Sequence, residues 1–115
     1  LDIKKLKEML EESLGENLPH VIDESGDIPT IIFENDNVQL SIFAEDDLFT
    51  ISNLKINSKG RGTGSIIFET IIEFCEEKGY SQIHGIKNNG NGANLCEKFG
   101  FESDGNSDND YTKYL

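Results

Sequence analysis

Hydrophobic residues recur over residues 3–14 as Ile3, Leu6, Met9, Leu10 and Leu14, the spacing of one helix face, and Gly15 ends the run. Pro19, Gly26 and Pro29 then punctuate a stretch without periodicity, which predicts a loop. From Thr30 the pattern becomes that of strands. Thr30 to Phe33 is β-branched and aromatic. Val38, Leu40 and Ile42 alternate with Gln39, Ser41 and Phe43, and Leu48 to Ile56 offers Phe49, Ile51 and Leu54 for burial. Turn residues at Asn35-Asp36-Asn37 and Glu45-Asp46-Asp47 join these strands as antiparallel hairpins.

After Asn57-Ser58 the character changes. Lys59-Gly60-Arg61-Gly62-Thr63-Gly64 leads into an apolar helix from Ser65 to Lys78, closed by Gly79. Ile66, Ile67, Phe68, Ile71, Ile72, Phe74 and Cys75 cover most of its circumference, which predicts a largely buried helix. Gln82 to Ile86 reads as a short strand and Asn88-Asn89-Gly90-Asn91-Gly92 as a loop. Ala93 to Lys98 reads as a short helix, and Phe99-Gly100-Phe101 opens another strand. A polar loop from Ser103 to Asn109 precedes a last strand, Asp110 to Leu115. The order predicts a mixed α/β (α+β) arrangement, with one central and mostly antiparallel sheet flanked by helices. With no internal repeat and no dividing linker, residues 1–115 are expected to form one domain.

Composition narrows the function classes. Twenty-two acidic against ten basic side chains give a formal charge of −12, a field that repels nucleic-acid phosphates and anionic membranes. The same field has two readings: it keeps a small protein dispersed, or it draws in a cationic amine. No apolar run is long enough to span a bilayer, and nothing at the start reads as a secretion signal. Two cysteines, Cys75 and Cys96, are too few for a disulfide framework, so a reduced, cytoplasmic setting is expected. Asp104 to Asp110 is acidic but lacks the glycine and glutamate of a calcium loop, so a solvated turn and no metal site are expected.

The glycines at 60, 62 and 64 carry the strongest candidate chemistry. Glycine permits positive φ and lets a ligand approach the backbone closely. The open N–H groups and dipole at the start of the following helix suit phosphate oxygens, and Lys59 and Arg61 add positive charge. A P-loop fits poorly, because no Lys follows Gly64. A Rossmann turn fits poorly, because Ser65 and Ile67 stand where its third glycine is needed and the preceding strands look antiparallel; a flexible turn without a ligand is the other reading.

This segment resembles the Arg/Gln-x-x-Gly-x-Gly/Ala loop of the GNAT superfamily of acyl-CoA N-acyltransferases, with Lys59 in the first position. The run from Asn89 through Ala93, Leu95-Cys96-Glu97-Lys98 and Gly100-Phe101 resembles that family's second signature. Gly92 stands there for Ala and Cys96 for Tyr. Together the two motifs cover residues 48–115, whereas the first 47 residues resemble the family only in element order and look shortened. The resemblance implies an N-acetyltransferase that moves an acetyl group from acetyl-CoA to an amine by direct attack. The amine could belong to a cationic small molecule or to a protein.

The resemblance also assigns residues. Lys59, Gly60, Arg61, Gly62, Thr63, Gly64 and Ser65 would hold the CoA pyrophosphate, with Asn89 from the second motif. The backbone of Leu54, Lys55 and Ile56 would pair with the pantetheine arm, and an N–H there would stabilise the oxyanion. His84 occupies the place of a general base in some members, or is structural. Cys96 replaces the acid that protonates the leaving thiolate, or merely fills space. Two rivals to the enzyme remain: a degenerate module that binds acyl-CoA without chemistry, and an acidic interaction domain built on the same scaffold.

Overall fold

The computed structural model describes residues 1–57, 62–86, 90–103 and 110–115. The elements run α1 (Ile3–Leu14), β1 (His20–Asp23), β2 (Thr30–Glu34), β3 (Val38–Glu45), β4 (Leu48–Ile56), α2 (Thr63–Lys78), β5 (Gln82–Ile86), α3 (Gly90–Lys98), β6 (Glu102–Ser103) and β7 (Asp110–Tyr114). Seven strands form one sheet in the order β1-β2-β3-β4-β5-β7-β6. Every neighbouring pair is antiparallel except β4 with β5, which α2 connects by a crossover. The mixed α+β sheet with helices packed against it is the arrangement that the hydrophobic pattern predicts.

α1 forms where its amphipathic spacing requires. The Asp2 side chain caps it by accepting from the Lys5 N–H at 3.1 Å, and the Gly15 N–H closes it on the Glu11 carbonyl. Leu6 and Leu10 are fully buried, and Lys78 at the end of α2 pairs with Asp2 at 2.9 Å. That pair is solvent-exposed, so it positions more than it stabilises. Between β2 and β3 the Asn35 carboxamide oxygen accepts from the N–H groups of Asn37 and Val38, which builds the tight turn that its sequence signals.

Three expectations need correction. The segment after Gly15 is not all loop: Val21 and Ile22, a β-branched pair between Pro19 and Asp23, form the core of β1 against β2. That strand is four residues long, too short for periodicity to show. α3 begins at Gly90 rather than Ala93, taking in two glycines, residues of poor helix propensity that hid its start. Phe99 and Gly100 do not open a strand. The Phe101 N–H bonds the Cys96 carbonyl at 2.8 Å and the Gly100 N–H bonds that of Glu97 at 3.1 Å, a Schellman closure that delays β6 to Glu102. The Ser103–Asn109 loop lies, beyond Ser103, outside the described residues.

The three helices share one face of the sheet. Phe49 on β4 packs against Phe74 of α2, and Phe68 of α2 meets Phe99 and Phe101 beyond α3. A side chain at Gly85 would point at Cys96 of α3 and at Phe101. Phe49, Ile51, Ile83 and Gly85 therefore face the helices. By strand alternation Thr50 and His84 face the other way. No helix among the described residues is long and apolar enough to cross a membrane.

Candidate active site

β4 changes partners along its length. Among the described residues its parallel ladder with β5 runs from Leu48–Gln82 to Ile51–Gly85, while β4 continues to Ile56. The extra residue is Ser52. Ile51 pairs with Ile42 and Asn53 with Ser41, so Ser52 is bulged, and its Oγ donates to the Ser41 carbonyl at 3.1 Å. A bulge bends its strand and increases twist. Beyond it, Leu54, Lys55 and Ile56 pair with Leu40, Gln39 and Val38 of β3. Among the described residues, no strand is registered with them on the β5 side. The backbone edge left there is the kind that an extended ligand can join.

α2 begins just past this edge. Gly62 is its N-cap, at φ 71° in the left-handed region that glycine enters without strain, and no side chain caps the helix. The first intrahelical bond from a described donor runs from the Ile66 N–H to the Gly62 carbonyl at 3.0 Å. The N–H groups of Thr63, Gly64 and Ser65 thus have no acceptor within the helix, and no acidic residue lies in the first turn. Both the open donors and the dipole favour an anion. These features fit the phosphates of CoA. Among the described residues no cluster of metal-binding side chains occurs.

Gly64 has a different reason for being glycine. It is buried, and a Cβ there would come within 2.7 Å of a Leu95 methyl and 3.1 Å of the Ile56 Cδ1. β4, α2 and α3 close on one another at this point, so the second signature packs onto the first. Lys98, at the end of α3, reaches across the same junction and donates to Ser65 Oγ at 2.8 Å. Lys98 lies in the run that resembles the second signature, so the fold brings that run to the first turn of α2. Lys59, Gly60, Arg61 and Asn89 lie outside the described residues.

The two candidate catalytic side chains are on opposite sides of the sheet. His84 is half-buried on β5, registered between Thr50 of β4 and Thr112 of β7, on the face away from the helices. Cys96 is only 2 % exposed on the helix side, with Sγ 3.2 Å from where a Gly85 side chain would begin. Burial, with the neighbouring Glu97 charge adding, pushes its thiol up to about 11. So raised, the thiol stays protonated at neutral pH, and its burial on the helix side leaves it packed among side chains. Cys75 is buried on α2 and pushed further, to about 12, again mainly by burial.

No protein-family model and no curated protein sequence matches the chain. Solved structures do. The ribosomal-protein-S18-alanine N-acetyltransferase from Escherichia coli superposes with a TM-score of 0.54 at 14% identity, over 76% of this chain and 68% of that one. The PaiA N-acetyltransferase from Thermoplasma acidophilum, solved in complex with coenzyme A, gives 0.60 at 11% identity, over 97% and 70%. At such identities the likeness speaks for the fold. It shows that this chain has the GNAT fold of the acyl-CoA N-acyltransferases.

Proposed function

We propose that this chain is an N-acetyltransferase that uses acetyl-CoA to acylate an amine. The observation that carries the reading is the one-sided end of β4 leading into the uncapped start of α2, on a fold shared with a coenzyme A complex. Residues 59–65, with Asn89, hold the pyrophosphate, and the backbone of Leu54, Lys55 and Ile56 receives the pantetheine arm. Bound acetyl-CoA supplies a thioester acyl group. A β4 N–H beside the thioester carbonyl stabilises the charge that develops on its oxygen.

His84 takes the proton that the attacking amine loses. It approaches from the helix-free face, so the acceptor enters there, opposite Cys96. The C–N bond forms as the C–S bond breaks, and the thiolate takes its proton from water, because Cys96 packs rather than donates. An acceptor carrying positive charge suits a chain of net charge −12. A reducing compartment such as the cytoplasm suits two free buried thiols.

The buried Cys96 supports a second reading, a module that binds acyl-CoA without turning it over. Thiol release from acetyl-CoA across polyamines, aminoglycosides, amino acids and basic peptides separates the two. Turnover on any of them is expected. Calorimetric CoA binding with no turnover on the whole panel would establish the module instead.

A further inference from the structure

Among the described residues Lys78 alone has a carboxylate within ion-pair distance, in Asp2, and Lys98 is the described lysine whose ammonium bonds a side chain in the first turn of α2. Its contacts are the Ser65 hydroxyl at 2.8 Å and the face of Phe99, 5.6 Å from the ring centroid. Ser65 is the third residue of α2 and belongs to the turn whose N–H groups lack helical acceptors. The Lys98 ammonium and three N–H groups without helical acceptors thus meet at the start of α2.

We propose that Lys98 is a ligand of the CoA diphosphate, delivered from α3 to the start of α2, with Ser65 as its partner while no phosphate is present. This inference rests on the CoA site proposed above and adds a residue from the second signature to it. The Phe99 ring and Ser65 hold the ammonium beside the N–H groups, so binding requires a short movement of a flexible stem. The placement also explains why the two signatures must pack together. The Gly64–Leu95 contact fixes how far the end of α3 lies from the start of α2. An ammonium at an exposed site acts as a point charge, so its effect weakens as salt screens it.

The test is calorimetric affinity for CoA, dephospho-CoA and pantetheine at low and high ionic strength, with the parent, Lys98→Met and Lys98→Arg proteins. Lys98→Met keeps the apolar stem over Phe99 and removes the charge. It should weaken CoA and dephospho-CoA alike, about five- to ten-fold at low salt and less at high salt, as expected for one exposed charge-assisted contact. Pantetheine should bind it as it binds the parent, and Lys98→Arg should stay within about two-fold of the parent on all three. An unchanged CoA affinity in Lys98→Met would overturn the assignment, as would an equal loss on pantetheine. A loss confined to CoA would overturn it too, since that would place the contact on the 3′-phosphate. A parent that binds none of the three would remove the CoA site itself. A parent that binds CoA and loses it through Gly62→Asp, but not through Lys98→Met, would remove Lys98 alone.

Discussion

The two halves of β4 belong to one strand and have opposite duties. Leu48 to Ile51 is held by β3 on one edge and β5 on the other, with Phe49 fully buried against Phe74 and Tyr80. Leu54 to Ile56, past the Ser52 bulge, is held by β3, with Leu54 and Ile56 half-buried and Lys55 exposed. The difference teaches that one strand can be fixed on both edges over part of its length while, among the described residues, one edge stays unpaired over the rest.

The largest expected effect breaks the first half. Phe49→Ala should cost about 3–5 kcal/mol, the range for deleting a buried aromatic ring, whereas Leu54→Ala should cost roughly 1–2 kcal/mol because that site is only half withdrawn from water. Urea unfolding of both variants checks the order, and a reversal would erase the distinction between the halves. Next in size is His84→Ala, which should slow turnover about 100-fold on whichever amine is accepted, as for a lost general base. Its CoA affinity and melting temperature should match the parent; unchanged turnover would return His84 to a structural role.

The start of α2 sharpens the contrast at smaller cost. Gly64→Val should destabilise by roughly 1–3 kcal/mol, since its side chain would press on Leu95 and Ile56. Gly62→Asp should stay within about 1 kcal/mol of the parent, because a Cβ there meets nothing within 4 Å and aspartate tolerates the left-handed region. It should nevertheless weaken CoA at least ten-fold, roughly the 1.4 kcal/mol expected of a carboxylate facing phosphate. Thermal melts and CoA titrations of the pair separate packing from binding.

The smallest effect is alkaline. Burial raises the Cys96 thiol in the folded protein, so its stabilising share is complete below the unfolded value of about 8.5 and falls as pH rises towards about 11. Cys96→Ser should lose less stability than the parent between pH 8 and pH 10.5. Equal losses in urea midpoints would show that this thiol is not the source.

Much of the framework was legible because it rests on local pattern. The bounds of α1, the three-strand meander and the buried α2 follow from periodicity and turn chemistry over stretches long enough to show them. β1 did not, since four residues with both faces exposed carry no alternation of burial and gain strand structure only by pairing with β2. The glycine-rich turn stood out in the sequence, yet two of its glycines prove unlike: Gly62 sits at a backbone angle that favours glycine, Gly64 where Leu95 and Ile56 leave no room for a side chain. That distinction, the reach of Lys98 to Ser65 and the opposite facing of His84 and Cys96 all depend on contacts between distant segments. Spacing along one chain does not encode them separately.

The parallel junction also sets an order of events during folding. β2, β3 and β4 join through tight turns and can pair within microseconds, but Leu48 meets Gln82, 34 residues further along the chain, only after the intervening segment has closed over α2. Until then β4 is the outermost strand of a meander. Its sequence from Leu48 to Ile56 is β-rich, free of proline and glycine, and bears one charge, at Lys55. A newly made chain is therefore most prone to stick to its neighbours in the interval before β5 docks. Slower synthesis or lower temperature, which thin the population of chains caught there together, should raise the soluble yield.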